Sequence, residues 1–218
     1  MANVEDIDIC GKAGGDLPML TPVLDAWLAL MTEDWGKEDA PWWYNERASL
    51  SQFAGAIWKS NGWVLEEYCI SRKSHAGKHD GSSRGRCDLM FDFDRLRIVA
   101  EAKQVWLAHT NGKNALRAVQ TALDAAWSEV ARAPDAAGRY KRFGLVFVAP
   151  WFRPSIVSMP TEFDTRLREL VRELTTAHPN AVVAWAFPSS KRRLRSRRYS
   201  DRRYFPGIVM VLAPHPHA

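Results

Sequence analysis

Residues 86–104 read Arg-Cys-Asp-Leu-Met-Phe-Asp-Phe-Asp-Arg-Leu-Arg-Ile-Val-Ala-Glu-Ala-Lys-Gln. No other stretch of the chain constrains its fold as much. It predicts two strands, 86–93 and 96–104, folded back on each other about Asp94-Arg95. With the turn centred on that pair, Phe93 faces Leu96, Asp92 faces Arg97, Phe91 faces Ile98, Met90 faces Val99, Leu89 faces Ala100 and Asp88 faces Glu101. The period of two then sorts the side chains. One face carries Leu89, Phe91, Phe93, Leu96, Ile98, Ala100 and Ala102, all apolar. The other carries Asp88, Met90, Asp92, Arg97, Val99, Glu101 and Lys103. The register needs a turn of even length, because an odd loop would break it. Asp94-Arg95 also lacks the Gly or Asn usual in a two-residue hairpin.

In this register two carboxylates stand side by side, with a lysine one step along the same face. Adjacent carboxylates repel, and one takes up a proton unless a cation neutralises them. A hard divalent ion such as Mg²⁺ takes oxygen ligands and keeps several waters. Asp88, Glu101 and the backbone carbonyl of Ala102 would supply part of its octahedron. Such an ion acidifies a bound water and stabilises charge on a phosphoryl oxygen. Lys103 would orient that water or stabilise the transition state. The plain alternative is an ion-paired hairpin in which Lys103 bridges the two acids. The Ile-Val-Ala run before Glu101 argues instead for an interior strand.

Around this hairpin the pattern is mixed. Thr21-Pro22 reads as a helix N-cap and first position for an amphipathic run over 23–31. Asn45 caps a second helix that runs to Ser60 and stops at Asn61-Gly62. Leu50, Phe53, Ala54 and Ile57 are its apolar stripe, and Glu46, four residues before Leu50, falls on the buried side. A strand over 63–71 and a Gly/Ser/His/basic loop over 72–85 precede the hairpin. A helix over 114–132 repeats Leu116, Val119, Leu123, Trp127 and Val130 at helical spacing. Strands are expected at 143–149, 181–187 and 208–212, and a charged helix capped by Thr161 at 161–177. The order predicts a mixed central α/β sheet flanked by helices. It reads as a single domain, with 1–44 an N-terminal helical extension of a unit spanning 45–218.

The acid at Asp88 followed by Glu101-Ala102-Lys103, with Arg86 two before the aspartate, resembles the PD-(D/E)XK nuclease superfamily, the restriction-endonuclease-like fold. The resemblance covers about residues 45–149, where helix, three strands, helix and strand follow that family's αβββαβ core. Here the N-terminal helix and the C-terminal strands are additions. It implies Mg²⁺-dependent hydrolysis of phosphodiester bonds, usually in DNA and as an endonuclease, with Mn²⁺ able to substitute. Matched by position, Asp88 is the metal-binding acid, Glu101 the second acid and Lys103 the catalytic lysine. Glu46 matches a glutamate that many members place on their first core helix. Cys87 stands where the name-giving proline would be. Gln120 matches a glutamine of exonuclease-like members, but Asp124 stands where their tyrosine would be.

Charge supports a polyanionic partner. The net charge is +5, but residues 191–203 hold eight Lys or Arg and one acid, Asp201, leaving 22 basic and 24 acidic residues elsewhere. The excess is one patch: Lys191, Arg192, Arg193, Arg195, Arg197 and Arg198 form an arm expected to track DNA phosphates, helped by Arg84 and Arg86. A solvated loop is the alternative. Trp42-Trp43-Tyr44 could stack on bases or belong to the core. Glu66-Glu67 offers a further acid or a solvated strand face. His75 and His79 with Cys69 and Cys87 fit no zinc spacing. Three cysteines without a CxxC pair suggest a reducing cytoplasm, and no apolar run is long enough for a membrane span. Early acids and no basic segment before an apolar run argue against a signal peptide. A recruiting protein partner or a homodimer would fit cleavage of both strands. The rival readings are a non-cleaving nucleic-acid-binding or assembly module on the same fold, and an RNA-cutting effector.

Overall fold

A computed structural model describes residues 10–13, 18–33, 39–72, 83–108, 112–133, 139–191, 195 and 202–216. Twelve regular elements follow in order: β1 (Cys10–Ala13), α1 (Thr21–Thr32), α2 (Glu46–Lys59), β2 (Trp63–Arg72), β3 (Ser83–Phe93), β4 (Leu96–Ala108), α3 (Gly112–Val130), β5 (Lys141–Trp151), α4 (Pro154–Val157), α5 (Pro160–Ala177), β6 (Val182–Ala186) and β7 (Ile208–Pro214). The strands form one seven-stranded sheet in the order β1-β6-β7-β5-β4-β3-β2. Every neighbouring pair is antiparallel except β4 and β5, which α3 connects as a parallel pair. The mixed α/β sheet flanked by helices is therefore as expected.

Helices cover both faces. On one, Leu20, Val23, Leu24, Trp27 and Met31 at α1 and Leu50, Phe53, Ala54 and Ile57 of α2 share a core with Phe91, Ile98, Ala100, Phe147 and Met210. On the other, Val119 and Leu123 of α3 and Leu167, Leu170 and Leu174 of α5 pack on Val146, Val148, Val183, Val209 and Val211. Strands β5 and β7 are buried nearly end to end, as strands covered by helices on both faces should be. The N-terminal helix expected as an extension is part of the main core.

Most boundaries follow local chemistry. The Asn45 side chain accepts the Ala48 N–H at 2.9 Å and caps α2. Asn61, at φ 61°, ends the helix, and the Gly62 N–H returns to the Ile57 carbonyl. At Gly62 an added Cβ would stand 2.6 Å from Ile57 Cγ2, so no larger residue fits there. Two expected caps are not caps. Thr21 and Thr161 lie inside their helices, and the residues at the N-cap positions, Leu20 and Met159, make no side-chain cap bond. A proline in the first two positions takes the place of a cap in both, because it removes an N–H that would otherwise need a partner. The short edge strand β1 lay in a stretch that the sequence left unassigned.

The β3–β4 hairpin turns on Asp94-Arg95 alone, so the even turn holds. Asp94 takes φ 46°, a conformation that Asp tolerates better than most residues. The observed pairs are Phe93 with Leu96, Asp92 with Arg97, Phe91 with Ile98, Met90 with Val99 and Leu89 with Ala100.

Candidate active site

The β3–β4 ladder ends at Leu89 and Ala100, one pair before Asp88 and Glu101. From there β3 stays with β2 and β4 stays with β5. The two acids therefore do not face each other as a ladder pair. They meet where the strands part. The backbone is irregular at the same level on β2: Glu67, opposite Asp88, takes φ 48°, and this pair drops out of an otherwise continuous β2–β3 register. The pleat breaks here as well. Alternation would set Cys87 beside Leu89 and Phe91, yet it packs with Val99, Val130 and Met90 on the α3 side.

Parting strands release backbone groups that must find other partners. The N–H of Ala102 donates to Asp88 Oδ2 at 2.8 Å. Two residues on, the N–H of Gln104 donates to the Glu46 carboxylate. Residues 102 and 104 point N–H and C=O to the same edge of β4. The Ala102 carbonyl thus belongs to the edge that Asp88 caps, where the sequence placed it as a ligand.

Glu101 is 1% exposed and hydrogen-bonded to Asp88. Burial, together with the adjacent Asp88, pushes its carboxyl up to about 8. Glu46 is half-buried at the start of α2, and its carboxyl is also raised. Burial is the main cause, Asp88 and Glu129 add to it, and Lys103 and the Gln104 N–H oppose it. Lys103 donates to Glu129 Oε2 at 3.1 Å. Burial works against its charge, but the Glu129 hydrogen bond and charge, with Glu46 and Asp88, outweigh that and raise its pKa.

Glu46, Asp88, Glu101 and Lys103 are thus brought into one electrostatic cluster, as the sequence predicted. Glu129 was not predicted. It projects from the last turn of α3, one turn beyond Ala126 on the buried side of that helix. The helix is docked by Trp127, whose Nε1 donates to the Ala213 carbonyl at 3.2 Å and packs on Gly144, where a Cβ would stand 3.0 Å from it. A charged residue bordering an alanine-rich stripe was the available signal.

The cluster suits a divalent cation. Four carboxyls face one lysine, every donor is a hard oxygen, and the most buried acid holds its proton far above the usual range. Among the described residues, no three His, Cys, Asp or Glu side chains form a metal-binding group by themselves.

Other expectations divide. Gln104 points away from the cluster, as alternation requires. It accepts from Ser49 Oγ at 2.9 Å and donates to the Trp42 carbonyl at 3.2 Å, tying β4 to α2. Trp42 and Trp43 are core residues, whereas Tyr44 is exposed. Glu67 pairs with Arg47 and Arg86, so Arg86 lies in an ion pair on the β2–β3 surface. Cys87 is a core thiol pushed up to about 11 by burial, against a Tyr68 hydrogen bond that lowers it. Gln120 bonds Asp124 on the exposed side of α3. Lys191 is a correction. Only 4% exposed, it sits in a turn closed by its N–H on the Pro188 carbonyl and does not belong to an exposed arm. The turn exposes Ser189 and Ser190 and folds Lys191 back to the buried side on which Pro188 lies. Arg195 is exposed, while Arg192, Arg193, Arg197, Arg198, His75 and His79 and the side chain of Arg84 lie outside the described residues.

No helix among the described residues is long and apolar enough to cross a membrane. Comparison with family models, with curated proteins and with solved structures finds no match for this chain.

Proposed function

We propose that this chain is a Mg²⁺-dependent nuclease of the PD-(D/E)XK superfamily, with the restriction-endonuclease-like fold, acting on DNA. The observation that carries this reading is the meeting of Asp88, Glu101, Glu46 and Lys103 where β3 leaves β4. Helix, three strands, helix and parallel strand also follow in the order that the motif implies.

Asp88, Glu101 and the Ala102 carbonyl, with Glu46 alongside, would hold the ion. When bound, it would supply an acidified water and neutralise charge on the phosphate. Asp88 is fixed for this role by the Ala102 N–H. The raised pKa of Lys103 keeps it protonated, so it serves as a fixed positive charge and hydrogen-bond donor and not as a base. Glu129 holds that ammonium group in place.

The test is digestion of circular and linear DNA, and of RNA, with Mg²⁺ or Mn²⁺. Wild-type protein should cut DNA, Asp88→Ala should not, and Lys103→Ala should cut far more slowly. Cutting of RNA alone would make it the RNA-directed effector. If every nucleic acid stays intact, the fold serves binding or assembly instead.

A further inference from the structure

The parallel strands β4 and β5 approach their carboxyl ends with tryptophans. Trp106 shares the α2-side face of Ala102 and Gln104, yet it is 41% exposed. Its neighbour on β5 is Ala149, and Trp151 lies two residues further along that same face. The Arg203 guanidinium stacks over the Trp151 ring, 4.2 Å from its centroid. Arg203 belongs to the basic connection between β6 and β7. That connection is tied to this end of the sheet: Phe152 and Tyr204 exchange backbone hydrogen bonds of 2.9 and 3.0 Å, and Arg195 forms a bridge to Tyr204. Beneath lies buried Trp42, whose Nε1 donates to the Phe205 carbonyl at 3.1 Å and whose own carbonyl takes the Gln104 amide. The rim is thus built on a packed base. Trp106 lies three residues beyond Lys103, about 10 Å along the strand and on the opposite face of the sheet.

An exposed indole, Trp106, on the same sheet face as the arginine-stacked Trp151 suits a ligand that combines a flat ring with phosphate. In a duplex, paired bases stack on one another and leave no ring face for a side chain. We infer that this rim binds a single-stranded segment of nucleic acid, with Trp106 stacked on an unpaired base and Arg203 and Arg195 on the flanking phosphates. The inference rests on the nuclease reading and narrows its substrate to nucleic acid with an unpaired stretch, such as ends, flaps or gaps.

Affinity should be measured by anisotropy without divalent metal, so that no cleavage intervenes. The probes are labelled oligothymidylate, oligouridylate, an abasic strand of equal length and a blunt duplex. Trp106→Ala should weaken binding of the base-bearing single strand about tenfold. Trp106→Phe should restore most of it, and the abasic strand and duplex should bind as before. Loss on oligothymidylate, on oligouridylate or on both identifies the sugar. Unchanged single-strand affinity, or an equal loss on the abasic strand and the duplex, would overturn the inference. So would a wild-type dimer that Trp106→Ala makes monomeric at constant strand affinity, since the rim would then face a second copy. Base-dependent binding in a protein that cuts nothing with Mg²⁺ would remove the nuclease reading and leave the rim. Cutting with no effect of Trp106→Ala would do the reverse.

Discussion

Strands β4 and β5 lie side by side in the middle of the sheet, run parallel and begin alike, but they end differently. β5 has neighbours on both edges from Phe143 to Val148 and is buried from Phe143 to Pro150. β4 has two neighbours only as far as Ala100. Lys103, Gln104 and Val105 are half-buried, and Trp106 is exposed. Side chains do on β4 what a partner strand does on β5: Asp88 and Glu46 accept the N–H groups of Ala102 and Gln104. Polar chemistry enters the middle of an apolar sheet where one strand loses its neighbour, and the carboxylates that satisfy the backbone are the same ones that gather charge.

Removing a carboxylate from the parted half breaks the contrast most directly. Asp88→Ala should bring metal-dependent cleavage to background while the protein stays folded, because the freed Ala102 N–H lies at an open edge. Cleavage of circular DNA and a melting curve on the same sample check both halves of the claim. The opposite result is expected on β5. Phe147 is fully buried in the paired half, and Phe147→Ala should lower stability by about 3–5 kcal/mol. A shifted denaturant midpoint with unchanged slope would show it.

Lys103→Ala should come next, with a loss of about 10²–10³ in cleavage rate. Its metal dependence should persist, since the carboxylates and the Ala102 carbonyl remain. Glu129→Gln should act through Lys103 and cost less, about tenfold, with the acidic side of the pH–rate profile unchanged. If Glu129→Gln matched Lys103→Ala, Glu129 would have a role beyond positioning.

The paired half was legible in the sequence. One wholly apolar face over 89–93 and 96–100 and an even turn set a register that the structure reproduces pair by pair. The parted half was legible in its residues but not in its geometry. The identity of Asp88, Glu101, Lys103 and Glu46 could be read from acids set among apolar neighbours. The departure of β3 could not, because it comes with a positive φ at Glu67, a residue with no special preference for it. Glu129 was hidden because its partner lies 26 residues away, and only the docking of α3 brings them together. Lys191 misled because a run of basic residues says nothing about which member the chain path carries inward.

The smallest effect, and the one that bears most closely on the parted strands, is on pH. In the folded chain Glu101 keeps its proton up to about pH 8, whereas its ordinary value is 4.5. Between those values the unfolded chain has lost a proton that the folded chain retains. Metal-free stability should therefore fall as pH rises through this window and level off above about 8. Mg²⁺ takes the place of the proton, so the stabilisation it gives should grow with pH over the same range. Glu46, also raised, adds a slope of the same sign, and His178, lowered by burial, adds one of the opposite sign. Glu101→Gln removes one contribution and leaves the other two. The difference in melting temperature between wild type and Glu101→Gln, followed from pH 5 to 9 with and without Mg²⁺, should change steadily with pH without metal and much less with it. A difference independent of pH would mean that Glu101 is already ionised in the folded protein. The two carboxylates would then stand apart, as solvated side chains do on an ordinary strand.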